Sequence, residues 1–506
     1  VVEAAGRRAF IGRDAELTRL RGLFAVASAG DARALVIGGE AGVGKTLLVS
    51  RFTQEAALGG ATVLTGACLE VGAGGIPYAP FVEALRALVR ATDPARLPAL
   101  LGPGRGELSR LLPELAARKA EVPAPEPDAT AQNRLFELIL GVVERLAAAS
   151  PVVIVVDDLQ WADRPSRDLL GFLIRGLRSA RVLTVLTARS EDLAGRSSVL
   201  GFVAELERDD NVERLELRRF GRAEVARQVA ALTGGEADPR LVDRVFERSD
   251  GNPFYAEQLV ASVEAGDGGD LPPRLQDILL ARIAELSPAA QEVLRAASAA
   301  GRRLDDQLLG AAVELTPRQL RERLREVVAS GILVPVAGAD GQPAYAFRHA
   351  LLQEVVYREL FAGERVRLHA AFAAALEARG ETDSTAVEPA ELAYHWDLAR
   401  EPTKALPTIV AAARAAERVY AYSVALRHFE RALELWPRVP NANWIVPGGQ
   451  VDLIRGAAEA AMLAGDGKRA IEFGRAALNA VDSTADPGRA AVLQERLRWF
   501  LWEAGE

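Results

Sequence analysis

Short apolar runs alternate with longer segments of helical spacing through the first 220 residues of the chain. Runs at 35–38, 62–66, 152–156, 182–187 and 212–217 are too short for helices and predict five β-strands. Between the second and third, the stretch 132–149 carries Leu135, Phe136, Leu138, Ile139 and Val142 at helical spacing, after a proline- and acid-rich loop at 121–130. Strands that alternate with helices predict a parallel sheet with crossover helices.

The pattern turns helical from 221 to 265, and Gly266-Asp267-Gly268-Gly269-Asp270 predicts a break. Four helical segments are expected up to about Ser330. Apolar runs at 332–336 and 344–347 then flank Asp340-Gly341, a hairpin signal, so helices followed by a hairpin suggest a winged helix. Beyond Gly363 only alanine-rich amphipathic segments remain, such as 367–378, 424–435 and 468–479. The stretches 425–433 and 470–478 share a pattern, and Leu463-Ala464-Gly465-Asp466 returns as Glu503-Ala504-Gly505-Glu506. Small residues at a repeated turn resemble tetratricopeptide-type (TPR-like) helical hairpins, and a chain that ends inside such a repeat is expected to be a fragment.

The strongest chemical signal follows the first apolar run. Gly39-Glu40-Ala41-Gly42-Val43-Gly44-Lys45-Thr46 fits G-x-x-x-x-G-K-[ST], a phosphate-cradling loop between strand and helix. Only four residues of the 61 basic ones are lysine, yet one stands where an ammonium must reach the β- and γ-phosphates of a nucleoside triphosphate. Glycines at 39, 42 and 44 admit close approach of main-chain N–H groups, and a helix opening near Lys45 presents a positive dipole end. Gly39, Ala41, Gly42, Val43, Gly44, Lys45, Thr46 and Leu47 are therefore the candidate nucleotide contacts, with Thr46 on Mg²⁺.

Charge and cysteine content narrow the setting. A net charge of −8 argues against a nucleic-acid-binding surface over the whole chain. One cysteine, Cys68, allows no internal disulfide and agrees with a reducing, cytoplasmic location. No apolar run approaches the roughly 20 residues that span a bilayer, so no membrane partner is expected. Four histidines define no zinc spacing and no Ser/His/Asp grouping.

A second element matches the loop. The run 152–156 ends in Asp157-Asp158, as a Walker B strand does, with Asp157 expected to hold Mg²⁺ and Asp158 to orient or deprotonate a water. The run 182–187 leads to Arg189 at the carboxyl end of the sheet, where it either reads the γ-phosphate or makes a surface salt bridge.

In order, Phe10-Ile11-Gly12-Arg13-Asp14-Ala15-Glu16-Leu17, the phosphate loop, Ile76-Pro77-Tyr78-Ala79-Pro80-Phe81, Asp157-Asp158-Leu159-Gln160-Trp161-Ala162-Asp163, Gly251-Asn252-Pro253-Phe254-Tyr255, Phe347-Arg348-His349-Ala350 and Ala393-Tyr394-His395-Trp396 resemble the signal-transduction ATPases of the STAND group. Within that group they are similar to the large ATP-binding regulators of the LuxR type. The resemblance implies a multidomain α/β plus α chain: an AAA/STAND-like P-loop NTPase core at 1–220, a helical lid at 221–270, a winged-helix domain at 271–362 and TPR-like repeats at 363–506. It also implies that Ile11, Gly12 and Arg13 touch the adenine side, that Pro253 packs against the base, and that His349 contacts the β-phosphate of ADP. A nucleotide switch using ATP/ADP and Mg²⁺ with slow hydrolysis follows, with an unknown effector on the repeats and a possible nucleotide-dependent homo-oligomer.

Departures temper the likeness. No basic recognition helix follows Gly363, so DNA binding is implied only through a further C-terminal domain. The stretch 316–330 mixes arginines with Glu322 and Glu326 and reads as a solvated helix face. His395-Trp396 and Tyr420-Ala421-Tyr422 suit either an effector groove or, more often, interhelical core. An AAA+ motor or DNA-loading ATPase, and a nucleotide-stabilised scaffold, remain the alternatives.

Overall fold

The computed structural model describes residues 10–68, 76–115, 130–193, 198–264, 275–301, 304–337, 343–382 and 388–505. The chain divides into two compact units, each gathered from separate stretches. The first comprises Val1–Ala67, Leu146–Gln160 and Leu177–Ala375; the second comprises Cys68–Arg145, Trp161–Gly176 and Leu376–Glu506.

The first unit holds a five-stranded sheet built from β1 (Arg33–Gly39), β2 (Thr62–Ala67), β3 (Val152–Asp157), β4 (Val182–Thr187) and β5 (Val212–Leu217). Its order is β2-β3-β4-β1-β5, and every neighbouring pair is parallel. The strands β3 and β4 are buried at every position, while the edge strands β2 and β5 are interrupted by exposed residues. Central parallel strands covered on both faces read as continuous apolar runs, and that is why the sequence reveals them. One core joins Leu35, Ile37, Val153, Val155, Leu183 and Val185 to Leu48 and Phe52 of the helix Lys45–Leu58 and to Leu17 and Leu20 of the helix Asp14–Ser28.

This order positions a ligand crevice. The connection leaving β1 travels to β2 at one edge, whereas the connection leaving β4, its neighbour, travels to β5 at the other. Diverging connections part the loops beyond the carboxyl ends of β1 and β4, the ordinary place for a ligand in an open parallel sheet.

After the sheet, the helices Arg222–Thr233, Pro239–Ser249 and Pro253–Glu264 enclose a small core of Val225, Val229, Val242, Val245, Leu259 and Val260. The expected break at 266–270 lies outside the described residues. Four helices follow, Leu275–Ala284, Pro288–Ala300, Asp306–Ala312 and Pro317–Ala329. They lead into an antiparallel pair, β6 (Leu333–Ala337) and β7 (Pro343–Phe347), in the register Leu333↔Phe347. The turn Asp340-Gly341 itself lies outside the described residues. In the helix Pro317–Ala329, Arg318 pairs with Glu322 at 3.2 Å and Arg323 with Glu326 at 2.7 Å, so two of its four arginines are paired with its own acids.

In the second unit the helices Pro389–Leu398, Pro402–Arg418, Tyr422–Leu435, Gly449–Leu463, Gly467–Ala480 and Pro487–Glu503 pack in succession. Small residues sit where neighbours approach. A Cβ on Gly456 would lie 2.8 Å from Phe429 Cζ, and one on Gly474 would lie 3.1 Å from Leu497 Cδ1. His395 and Trp396 are buried, with Trp396 Nε1 donating to Glu377 at 2.8 Å, and Tyr420 and Tyr422 are buried as well, so these aromatics belong to the interhelical core. Among the described residues, no strand follows Phe347, and no helix is long and apolar enough to cross a membrane.

Candidate nucleotide site

The phosphate loop emerges from β1, which buries six of its seven residues and so holds the loop's first glycine rigidly. Gly42 has φ +82° and Gly44 has φ +104°, values that disfavour any side chain. A Cβ on Gly42 would also stand 2.9 Å from Phe254 Cβ, whereas one on Gly44 would meet nothing within 4 Å and point into open space. Gly44 caps the helix Lys45–Leu58, whose first turn offers the N–H groups of Lys45, Thr46 and Leu47 without intrahelical acceptors.

Lys45 is buried, and its Nζ donates to the carbonyls of Gly39 at 2.6 Å and Glu40 at 3.0 Å. Burial pulls the ammonium below its ordinary value, against the attraction of Asp158 and Asp157. A nearby polyphosphate would relieve that desolvation.

The carboxylates come from the end of β3. Thr46 Oγ1 donates to Asp157 Oδ2 at 3.4 Å, so hydroxyl and carboxylate lie side by side. Thr187 Oγ1 donates to the other oxygen of Asp157 and accepts from the Asp158 N–H at 3.0 Å. Asp158 has φ +59°, a strained backbone that turns its carboxylate off the strand. Gln160 Nε2 donates to Asp158 Oδ1 at 3.0 Å, and the Arg189 N–H donates to Gln160 Oε1 at 3.3 Å. One hydroxyl and one carboxylate beside a phosphate site are the sparse oxygen set that suits Mg²⁺, and among the described residues no cluster of three or more metal-ligating side chains competes with it.

Arg189 does lie at the carboxyl end of β4, and its guanidinium is bound. Its NH2 donates to Glu354 Oε1 at 2.6 Å, on the helix Ala350–Glu359. Burial lowers its affinity for the proton, but Glu354 and Asp158 outweigh that, and the net shift is upward.

Arg13 is buried rather than on the surface. Its NH2 donates to the carbonyls of Val43 at 3.0 Å and Arg218 at 2.7 Å, and its guanidinium lies 4.7 Å from the centre of the Phe220 ring. Gly12 also adjoins Phe220, with Ile11 half-buried before it. The segment 11–13 thus reaches the phosphate loop by bracing Val43.

The Gly251-Asn252-Pro253-Phe254 turn grips the loop from another side. Asn252 Nδ2 donates to the Ala41 carbonyl at 3.0 Å, the Phe254 N–H donates to Gly42 at 3.3 Å, and Pro253 offers its carbonyl to Gln228 at 2.7 Å. His349 lies on the Phe254 ring, with centres 4.0 Å apart and planes at 47°. Sequence reasoning assigned no role to Thr187, Gln160, Asn252 or Glu354, nor to Arg219, which clasps Glu40 of the loop at 2.7 Å and also Asp250. Gln160 and Asn252 sit inside recognised motifs, and Thr187 ends the predicted strand run 182–187; Glu354 and Arg219 leave no periodic trace.

Residues 9–185 match the AAA ATPase domain family. That domain implies nucleotide binding, and it suggests hydrolysis. The chain is 25% identical over 456 residues to an uncharacterized protein of Rhizobium meliloti (strain 1021), covering 84% of this chain and 42% of that protein. It thus spans about two fifths of the length of the curated relative it matches.

Among solved structures it is similar to a signal transduction ATPase with numerous domains (STAND) protein with a tetratricopeptide repeat sensor from Pyrococcus horikoshii, at 13% identity and a TM-score of 0.44, covering 98% of this chain and 81% of that one. AMPPCP-bound DnaA from Aquifex aeolicus matches at 12% identity and a TM-score of 0.31, over 64% of this chain and 90% of that one.

Proposed function

We propose that the chain is the nucleotide switch of a LuxR-type transcriptional regulator of the STAND group, hydrolysing ATP slowly and taking its effector on the helical repeats. The observation that carries the reading is the Arg189–Glu354 pair: the cation that this reading assigns to a γ-phosphate is held by an acid 165 residues away. A triphosphate must compete for it, and a diphosphate need not. Supporting it, Asn252 and Phe254 hold the phosphate loop, and Phe254 carries His349.

In this reading the NTPase core is 1–220, the lid 221–270, the winged helix 271–362 and the TPR-like sensor 363–506. Lys45 and the loop N–H groups hold the phosphates, Thr46 and Asp157 hold Mg²⁺, and Asp158, fixed by Gln160, orients the attacking water. Mg²⁺, when bound, neutralises charge on the phosphate oxygens. Ile11, Gly12, Arg13 and Pro253 border the adenine. DNA is reached through a further C-terminal domain, and nucleotide exchange in the cytoplasm governs assembly. Reversing such a switch from 1:99 to 99:1 requires about 5.5 kcal/mol of differential binding, more than one ion pair supplies, which leaves a share for the effector.

Denaturing the purified chain and identifying the released nucleotide tests the reading. Native protein is expected to yield ADP, and Lys45→Ala none. Rapid turnover with no retained nucleotide overturns it.

A further inference from the structure

The turn after the helix Pro389–Leu398 departs from its counterparts in the same unit. Three helices there end in the same way, with a C-cap alanine, Ala399, Ala464 or Ala504, followed by one residue in the left-handed region. That residue is Gly465 at φ +81°, Gly505 at φ +76°, and Arg400 at φ +57°. Each donates its N–H three residues back, to Met462 at 3.0 Å, Trp502 at 3.2 Å and Asp397 at 3.1 Å. Glycine is the ordinary occupant of this position, because a side chain there is strained. Tyr420, at φ +60°, is another exception, but it is buried and its hydroxyl donates to Glu107. Arg400 is exposed and has no hydrogen bond or ion pair to any described side chain.

What Arg400 has is a cavity. A concavity of about 390 Å³ is lined by Arg400, Arg431, Arg438, Asp397 and Glu401, over buried Leu435 and Ala405. Arg431 is fully engaged: it forks onto Asp397 at 2.7 and 3.0 Å and reaches Glu434 at 2.7 Å. That pairing removes Asp397, and the unpartnered lining groups are Arg400 and Arg438 against Glu401 alone. A locally positive hollow on a chain of net charge −8 selects anions, and its size lies within the range of small-molecule sites.

We propose that this cavity binds a small organic anion, with its carboxylate or phosphate on Arg400 and Arg438 and a short apolar body against Leu435 and Ala405. The planar guanidinium fork suits either group, and strain kept at an otherwise idle residue marks a binding role. The proposal deepens the sensor reading of the helical unit by naming where the effector sits and what charge it carries.

Isothermal titration of the full chain with hexanoate, hexyl phosphate and hexanol tests it. One or both anions are expected to bind, the arm that responds naming the group, while hexanol gives no heat. Arg400→Gly should weaken binding about ten-fold with a thermal midpoint equal to or above that of the parent, because glycine relieves the turn. Arg438→Gln, far from any backbone strain, should weaken it similarly. Equal binding of hexanol, unchanged binding by both variants, or no heat from either anion at about 10 mM overturns the proposal. Retained nucleotide in the same preparations reports separately on Lys45, so failure here and failure of the switch are distinguishable.

Discussion

Glu354→Gln isolates the competition for Arg189. The two groups approach to 2.6 Å, with side chains 19% and 27% exposed, so the pair is largely sheltered from solvent screening. Opposite charges about 4 Å apart attract by about 4 kcal/mol at an effective dielectric of 20, and desolvation consumes part of this. A charge-assisted hydrogen bond in this setting is worth about 2 kcal/mol net.

Arg189 is then free in only about 3% of molecules, and a ligand that requires it binds about 30-fold more weakly than its contacts allow. Glutamine keeps a neutral hydrogen bond of about half that strength, so the variant should gain about 1 kcal/mol, or about five-fold, in ATP affinity. ADP affinity should stay within two-fold. Competition of ATP and ADP against a fluorescent nucleotide at fixed salt reads both constants. Adding Arg189→Gln to the variant should erase the gain, as coupled groups require. A change of equal factor for both nucleotides, or none for ATP, refutes the reasoning.

Three further outcomes are expected. Gly251→Ala should destabilise the first unit by about 2 kcal/mol or more, because the new Cβ would fall 2.1 Å from the Phe220 carbonyl oxygen at a φ of +72°; a thermal melt that matches the parent contradicts this. Thr187→Val removes the hydroxyl that joins Asp157 to the half-buried Asp158 N–H, so Mg²⁺-dependent nucleotide affinity should fall at least ten-fold while Mg²⁺-free binding changes little.

His369 and His428 are held down to about 4 by burial, chiefly through desolvation. The unfolded chain takes up these protons first, so stability is complete above the ordinary histidine value and is lost as pH falls from about 6.5 toward 4. The loss is about 2 kcal/mol per histidine at pH 5, and urea titrations of His428→Phe should show a correspondingly shallower acid decline.

The sheet was legible because β1, β3 and β4 are buried along nearly all their length and so spell mostly apolar runs, and all five strands fall within a residue or two of the predicted stretches. The phosphate loop and Asp157-Asp158 were legible for a different reason: fixed glycine spacing after a strand and paired acids at a strand end are short local patterns that need no long-range information to see. Arg189 was placed at the right end of the right strand, but its partner was not, since nothing local at Glu354 distinguishes it from the other acids of an amphipathic helix. Arg13 illustrates the same limit. Its position beside Gly12 drew notice, yet its bonds reach Val43, 30 residues on, and Arg218, 205 residues on. The helical hairpins were legible through their alanines and glycines, whereas the strain at Arg400 has no one-dimensional signature and emerged only from its dihedral angle.

The interleaving of the two units has a practical corollary for protein engineering. The polypeptide passes from one to the other after Ala67, Arg145, Gln160, Gly176 and Ala375, so neither corresponds to a contiguous stretch of coding sequence. A fragment beginning near 376 would lack the helix Arg164–Gly176, which packs on Tyr422–Leu435, and would leave that apolar flank bare to water. Separating the two units by truncation is therefore expected to yield insoluble pieces, and point substitutions in the intact chain are the sound route to telling their contributions apart.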